Sequence, residues 1–223
     1  MDGASLPIAR LNPPQLRWRT PRNTPNGRAR PLEPKPVLPG IQRDEAGLIL
    51  SQALRDGGRW LAPDEVRRLL ALYGVPTVEQ RVVSTPEEAA AAAAEPAGVE
   101  MLVGVVNDRQ FGPSLACGAG GTLVEVLKDV SVRLTPVTAS DAASMLRELR
   151  SFPRLTGYPG GQPCDVAALD DVLLRISAMV EDHSTIAEVD CNPVIVSASG
   201  AVVVDARVRV EKAAERRPLG ARA

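Results

Sequence analysis

Four oxygen-bearing side chains near the C-terminal end have the types and spacing to hold a hard cation. The run Ile186-Ala187-Glu188-Val189-Asp190-Cys191-Asn192 alternates apolar and polar residues. On a strand, that alternation puts Glu188, Asp190 and Asn192 on one face and Ala187, Val189 and Cys191 on the other. A second apolar run, residues 201 to 208, follows Ser199-Gly200 and is interrupted by Asp205. With Ser199-Gly200 as a two-residue hairpin turn, Ala198 pairs with Ala201, Val194 pairs with Asp205, and Asp205 becomes the diagonal neighbour of Asn192, about 7 to 8 Å away. A magnesium ion takes one or two carboxylates and an amide oxygen, with water or phosphate oxygens in its other positions. A carboxylate buried in the run around Asp205 would need such compensation. The same spacing also suits a half-exposed polar strand face paired with Arg207 or Arg209.

Other chemistry-bearing residues carry less. Gly118-x-Gly120-Gly121 does not extend to a dinucleotide fingerprint, because position 123 is leucine and the segment joins strand to strand rather than strand to helix. It reads as a turn, either a plain hairpin turn or a loop over phosphates. No GxxxxGK[ST] segment occurs. The single histidine, His183, excludes sites built from two imidazoles; between Asp182 and Ser184 at a helix end it reads as a capping or surface residue. Cys117, Cys164 and Cys191 are too few and scattered for a disulfide framework or a CxxC zinc site and read as buried free thiols. Ser114 and Ser144 lack a nucleophile-elbow context. The catalytic residues stay unknown at this level.

The elements that must position these groups are legible from periodicity. Residues 44–56 read as a helix apolar at Leu48, Ile49, Ala53 and Leu54, stopped by Gly57-Gly58. Residues 63–72 read as a second helix, with Pro63 in its first turn and Val66, Leu69, Leu70 and Tyr73 on one face. A strand over 78–83 follows, then a capping box, Thr85-Pro86-Glu87-Glu88, opening an alanine-rich helix over 89–94. After Pro96-Ala97-Gly98 the pattern becomes strands over 99–106, 111–117, 122–127 and 130–134. Helices over 140–149 and 166–180 follow, and the chain ends in a hairpin over 185–192, 194–198 and 201–208. This is an α+β pattern.

Composition bounds the rest. The 223 residues are 44% apolar and 24% charged with a net charge of −1, which describes a chain able to bury a core. No apolar run is long enough to span a bilayer, and the first residues lack the basic-then-apolar order of a secretion signal, so a cytoplasmic protein with no membrane partner is expected. The neutral total hides an asymmetry. Residues 1–43 hold eight Lys and Arg against Asp2 and Glu33, giving +6, which leaves −7 for the remainder. That segment also holds nine of the twenty prolines and reads as a disordered, extended Pro/Arg-rich tail or linker. Its arginines and Trp18 would suit phosphates, but the acidic remainder argues against a nucleic-acid partner. The expected divisions are a tail at 1–43, a helical segment at 44–97, a strand-rich domain at 98–211 and a basic tail at 212–223.

Two stretches, VEMLVGVVNDRQFGPSLACGAGGTLVEVLKDVSVRLTPVT from Val99 and AEVDCNPVIVSASGAVVVDARV from Ala187, resemble the C-terminal half of the ATP-grasp domain of NDP-forming acyl-CoA synthetases. These include ADP-forming acetate-CoA ligases and relatives of the succinyl-CoA synthetase β subunit. With the helices that precede and open that domain, the resemblance covers about residues 42–210. It implies an ATP-grasp-like C-terminal subdomain, Mg2+ and ATP as cofactors, and formation of acyl-CoA from an acid, ATP and CoA through an acyl phosphate and a phosphohistidine. By resemblance, Asn192 and Asp205 match magnesium ligands, with Glu188 and Asp190 beside them. Glu100 matches a position near the nucleotide, and Arg109, Gly118, Gly120 and Gly121 match loops near the phosphates.

The chain also departs from that pattern. In the family, the alanine-rich helix leads to a strand with a phosphate-binding lysine and then a histidine and Gly-Gly segment, whereas here Glu95-Pro96-Ala97-Gly98 passes straight to the next strand. Beyond Lys35 the only lysines are Lys128 and Lys212. Weak ATP affinity and little turnover alone are therefore expected, since phosphoryl transfer depends on positioning and charge neutralisation. The implied partners are ATP and a CoA-binding subunit in a separate chain. Self-association through apolar surface left by the gap is a further expectation. The alternative is a non-catalytic ATP-grasp remnant serving as a protein interaction module.

Overall fold

A computed structural model describes residues 33–78, 98–108, 112–120 and 129–213. The described helices are α1 (Arg43–Arg55), α2 (Pro63–Leu72), α3 (Ala139–Arg147), α4 (Phe152–Leu155) and α5 (Val166–Asp182). The described strands are β1 (Arg59–Trp60), β2 (Val99–Asp108), β3 (Gly112–Ala119), β4 (Val130–Leu134), β5 (Ile186–Ser197), β6 (Gly200–Val203) and β7 (Ala206–Val210). They form one sheet in the order β1-β7-β5-β2-β3-β4, with β6 on β5. The named strand pairs are antiparallel. Thr77 adds a parallel bridge to Val203.

The helices start where local chemistry tells them to. Thr138 Oγ1 accepts from Asp141 N at 3.2 Å while Asp141 Oδ2 accepts from Thr138 N at 3.1 Å, a reciprocal cap for α3. Asp165 Oδ1 accepts from Ala168 N at 3.0 Å and caps α5. At α2, Glu65 Oε2 accepts from Ala62 N at 2.7 Å, and both Glu65 oxygens take the Arg59 guanidinium, at 2.6 and 2.8 Å. The Arg59 hydrogen bonds hold the Glu65 carboxyl down to about 2. Asp129 performs the same service for the turn before α4, accepting from Arg150 N and Ser151 N, each at 2.8 Å.

One apolar layer joins these elements. From α5 it takes Leu169, Val172, Leu173, Ile176, Met179 and Val180; from α2, Val66, Leu69, Leu70 and Leu72. The sheet contributes alternate residues: Met101, Val103 and Val105, Leu115 and Cys117, Val189 and Cys191, Val208 and Val210. A fully buried side chain of this kind contributes roughly 1.5–3 kcal/mol. Cys117 and Cys191 are buried free thiols, whereas Cys164 is only half-buried. Burial, more than nearby carboxylates, pushes the Cys117 thiol up to about 12.

Several expectations need correction. Leu48 does not join the core: it is 71% exposed, and α1 buries Ala46 and Leu50 beside the expected Ala53, with Ile49 and Leu54 partly buried against them. The apolar face of α2 is buried, with Val66, Leu69, Leu70 and Leu72 at most 7% exposed. Gly118 and Ala119 lie inside β3 rather than in a turn. The two-residue β1 and the single turn α4 were not expected; β1 exists because Arg59 and Trp60 pair with Val210 and Arg209. Of the expected tail over 1–43, residues 1–32 lie outside the described residues while Arg43 already opens α1; residues 79–83 of the expected strand over 78–83, the alanine-rich helix over 89–94 and the strand over 122–127 also lie outside them.

Candidate metal centre

The C-terminal hairpin places its polar residues through two matched irregularities. On β5 the core-facing residues are Val189 and Cys191, then Val194 and Val196. The inward parity changes from odd to even across Asn192-Pro193. The β2 to β5 register shifts by one residue between Met101 and Val103 at the same level. Such a bulge re-aims side chains, and here Asn192 and Pro193 both stay out of the core opposite Leu102. The return strand makes the same change: Ala201 and Val203 face the core before the break between β6 and β7, and Val208 and Val210 after it.

Asn192 and Asp205 meet where both strands change face. Asn192 N donates to Asp205 O at 3.0 Å, and Val204 N donates to Pro193 O at 3.0 Å. The expected diagonal relation is thus corrected to a directly opposite one. The cause is the turn, since Ser197 pairs with Gly200 rather than Ala198 with Ala201. Ser199 N donates to Ser197 Oγ at 3.2 Å, and Gly200 takes φ 134°; these fix the turn at Ala198-Ser199 and slide the register by two. Asp205 is exposed, so the compensation that a buried carboxylate would need does not arise. Asp205 interrupts the apolar run where the chain leaves β6 for β7, not inside a strand.

Glu188 and Asp190 share the outer face with Asn192, and both are buried, at 4% and 6% exposure. Glu188 Oε2 accepts from Arg209 Nε at 3.2 Å, while its Oε1 has no hydrogen-bond partner among the described residues. Asp190 stands opposite Arg207 in the β5 to β7 register. The arginine pairing anticipated for this face therefore exists at Glu188. Burial first, then the carboxylates of Asp190 and Asp205, raise the Cys191 thiol well above its usual range, so it stays protonated behind the site.

Glu100 is exposed at the start of β2, opposite Ile195, and its carbonyl accepts from Gly120 N at 2.8 Å. Glu100 and Gly120 are thus brought together, on the same β5 flank as Asn192 but about three residues, or roughly 10 Å, along it. Gly118 and Gly120 have packing reasons to be glycine. A Cβ at Gly118 would lie 2.6 Å from Asp129 O, and one at Gly120 would lie 2.8 Å from Glu100 C. Arg109 and Gly121 lie outside the described residues.

Sequence reasoning missed the neighbourhood of Asp205. A cleft of about 440 Å3 opens between α2, β1 and residues 203–207, with Asp205 and Arg207 on one wall and Trp60 and Arg67 on the other. Arg67 sits in a legible helical pattern, but nothing local says that α2 packs beside Asp205. Among the described residues no group of three His, Cys, Asp or Glu side chains could hold a metal. The remaining donor set, the Asn192 amide oxygen and the Asp205 carboxylate, is hard and oxygen-only. It fits magnesium, which keeps several positions for water and phosphate oxygens.

The sequence profile of the ATP-grasp domain matches residues 52–98 and 93–210. The chain belongs to the ATP-grasp family. The β subunits of the ADP-forming acetate-CoA ligases I and II of Pyrococcus furiosus are similar to it, 41% and 46% identical over 113 and 114 residues. Those alignments take 51% and 50% of this chain and 49% and 48% of the subunits, so the matched part spans about half the length of these relatives. The ADP-forming acetate-CoA ligase I of Archaeoglobus fulgidus is 47% identical over 111 residues, 50% of this chain and 16% of that protein. Among solved structures, the acetyl-coenzyme A synthetase 1 of Ca. Korarchaeum cryptofilum, in complex with coenzyme A and Mg-AMPPCP, superimposes with a TM-score of 0.67 at 30% identity. That superposition covers 74% of this chain and 100% of the other. The α+β ATP-grasp architecture expected from the sequence is therefore correct. Among the described residues, no helix is long and apolar enough to cross a membrane.

Proposed function

We propose that this chain is the ATP-grasp component of a cytoplasmic NDP-forming acyl-CoA synthetase, which converts an acid, ATP and CoA to acyl-CoA, ADP and phosphate together with a separate CoA-binding chain. The observation that carries the reading is the direct opposition of Asn192 and Asp205 where both strands of the hairpin change face. In this reading Asn192 Oδ1 and the Asp205 carboxylate hold Mg2+, with Glu188 and Asp190 setting the negative field behind them. When bound, the ion neutralises phosphate charge. The bulge at Asn192-Pro193 fixes the amide, Gly120 lets the end of β3 lie against Glu100 of β2 while Gly118 lets β4 approach β3, and Arg109 and Gly121 are assigned to the phosphates by the family resemblance alone.

Isolated, the chain is expected to bind nucleotide weakly. The two matched segments overlap at residues 93–98, and no lysine stands between Lys35 and Lys128 to neutralise phosphates from the opposing side. Calorimetry with Mg2+ and ATP tests the reading: saturable heat is expected from the wild type and none from Asn192→Ala. Absence of heat from both proteins, with and without a CoA-binding chain, would overturn it. The overlapping segments would then favour the second reading, a non-catalytic ATP-grasp remnant serving as an interaction module.

A further inference from the structure

The segment ahead of α1 is strapped to α5 and to the end of α2 by contacts that end beside the chain's one histidine. Lys35 Nζ lies 3.7 Å from Glu181 Oε2, Arg175 Nη1 donates to Pro39 O at 3.3 Å and to Tyr73 O at 2.9 Å, and Gln42 N donates to Leu72 O at 2.9 Å. The strap ends at Asp182, whose Oδ2 receives both Arg43 Nε at 2.7 Å and Tyr73 Oη at 2.9 Å. His183, the C-cap of α5, stands edge-on to the Tyr73 ring, centroids 5.9 Å apart. A Cβ on Gly47 of α1 would come within 3.8 Å of its Cε1. The buried His183 Nε2 has no hydrogen-bond partner among the described residues.

We propose that Arg43, Tyr73, Asp182 and His183 form an acid-released latch, in which protonation of His183 frees the strap over residues 35–43 from α5 and from the end of α2. The groups facing the imidazole are Asp182 of α5, Arg43 of α1 and the Tyr73 phenol at the end of α2; Gly47 offers only backbone. An imidazolium there would carry a charge on a buried nitrogen that lacks an acceptor among the described residues, which is costly even though the ring as a whole is half-buried. Its one carboxylate neighbour, Asp182, is shared, since Oδ2 accepts from both Arg43 and Tyr73, so an imidazolium drawn to that carboxylate enters the field of the Arg43 guanidinium. The imidazolium therefore competes with Arg43 for Asp182 and is repelled by the same guanidinium, so either the ring leaves Tyr73 or Arg43 leaves Asp182, and both open the junction. Burial accordingly holds the His183 pKa below its usual 6.5. The latch is neutral and closed above that pH and opens as pH falls below it. It does not rest on the nucleotide reading.

The ring Cε1 proton of the single histidine gives an unambiguous NMR signal, and the Gln42 amide reports the strap. In the full chain, His183 is expected to titrate below 6.5, and the hydrogen-exchange protection factor of Gln42 to fall about ten-fold or more with the same midpoint, as local opening becomes favourable. His183→Phe keeps the edge-on ring and should remain protected down to pH 5. Protection that is indifferent to the titration, or a pH step that persists in His183→Phe, would overturn the latch. Should that variant not fold, Arg43→Gln serves: it removes the repelling charge, so the His183 midpoint should rise, and an unchanged midpoint would overturn the proposal.

Discussion

Asp170, half-buried on α5, has one carboxylate oxygen, Oδ1, with no hydrogen-bond partner among the described residues. Desolvation raises its pKa from 3.8 to about 6, against a smaller opposing pull from Arg147. A raised carboxyl binds its proton more tightly folded than unfolded. The folded state is therefore favoured at low pH, loses ground as pH rises between 3.8 and about 6, and carries the full penalty above that. Asp170→Asn should accordingly stabilise the chain at pH 7.5 by about 1 kcal/mol, a figure discounted for partial exposure, with little difference at pH 3.5. Urea melts at the two pH values check this, and equal stabilisation at both would assign the gain to something other than charge. His183 slopes the opposite way, since its contribution is present above 6.5 and is lost on acidification. At this scale the sequence was a good guide to residue types and a poor one to surroundings. Alternation placed Glu188, Asp190 and Asn192 on one face, but neither the burial of Glu188 nor the exposure of Asp205 follows from neighbours in the chain. Both depend on strands that arrive from elsewhere.

Helices and strands with strong periodicity or caps appear where the residues put them, α2 and β4 without displacement. What was not legible is whatever depends on pairing. Arg59-Trp60 has no strand pattern of its own and is extended because β7 lies beside it. The extra residue at Asn192-Pro193 is invisible in alternation, because Pro193 resembles an ordinary strand interruption until β2 is seen to continue past it. The hairpin register slipped for a related reason: two adjacent turn positions were compatible with Ser197 to Gly200, and the Ser197 hydroxyl chose between them. The glycines in β3 give a test of the element. Gly118→Ala would press a methyl onto the Asp129 carbonyl at 2.6 Å and Val130 Cγ2 at 2.8 Å, so β3 and β4 must part. A loss of about 1–3 kcal/mol is expected, read as a lower urea midpoint with or without nucleotide. A normal midpoint combined with lost nucleotide binding would instead make Gly118 a residue needed only for phosphates.

The whole molecule is organised around β5, which pairs with β2 on one flank and successively with β7 and β6 on the other. The α1 and α2 pair depends on the far end of that arrangement, since Leu61 N donates to Val208 O at 2.9 Å and Arg59 pairs with Val210. Truncation after Asp205 should therefore expose the inner faces of both helices, with loss of a cooperative thermal transition and gain of hydrophobic dye binding. A sharp, dye-free melt from that fragment would show that the helices stand without β7. The same pairing has a consequence for how the protein is made. Its first helices leave the ribosome about 150 residues before the strand that covers them, which at ~5–20 residues per second is a wait of roughly 8 to 30 s. During that interval Val66, Leu69 and Leu70 lack their final partners, so the step most open to aggregation or chaperone capture falls in translation rather than in the finished fold.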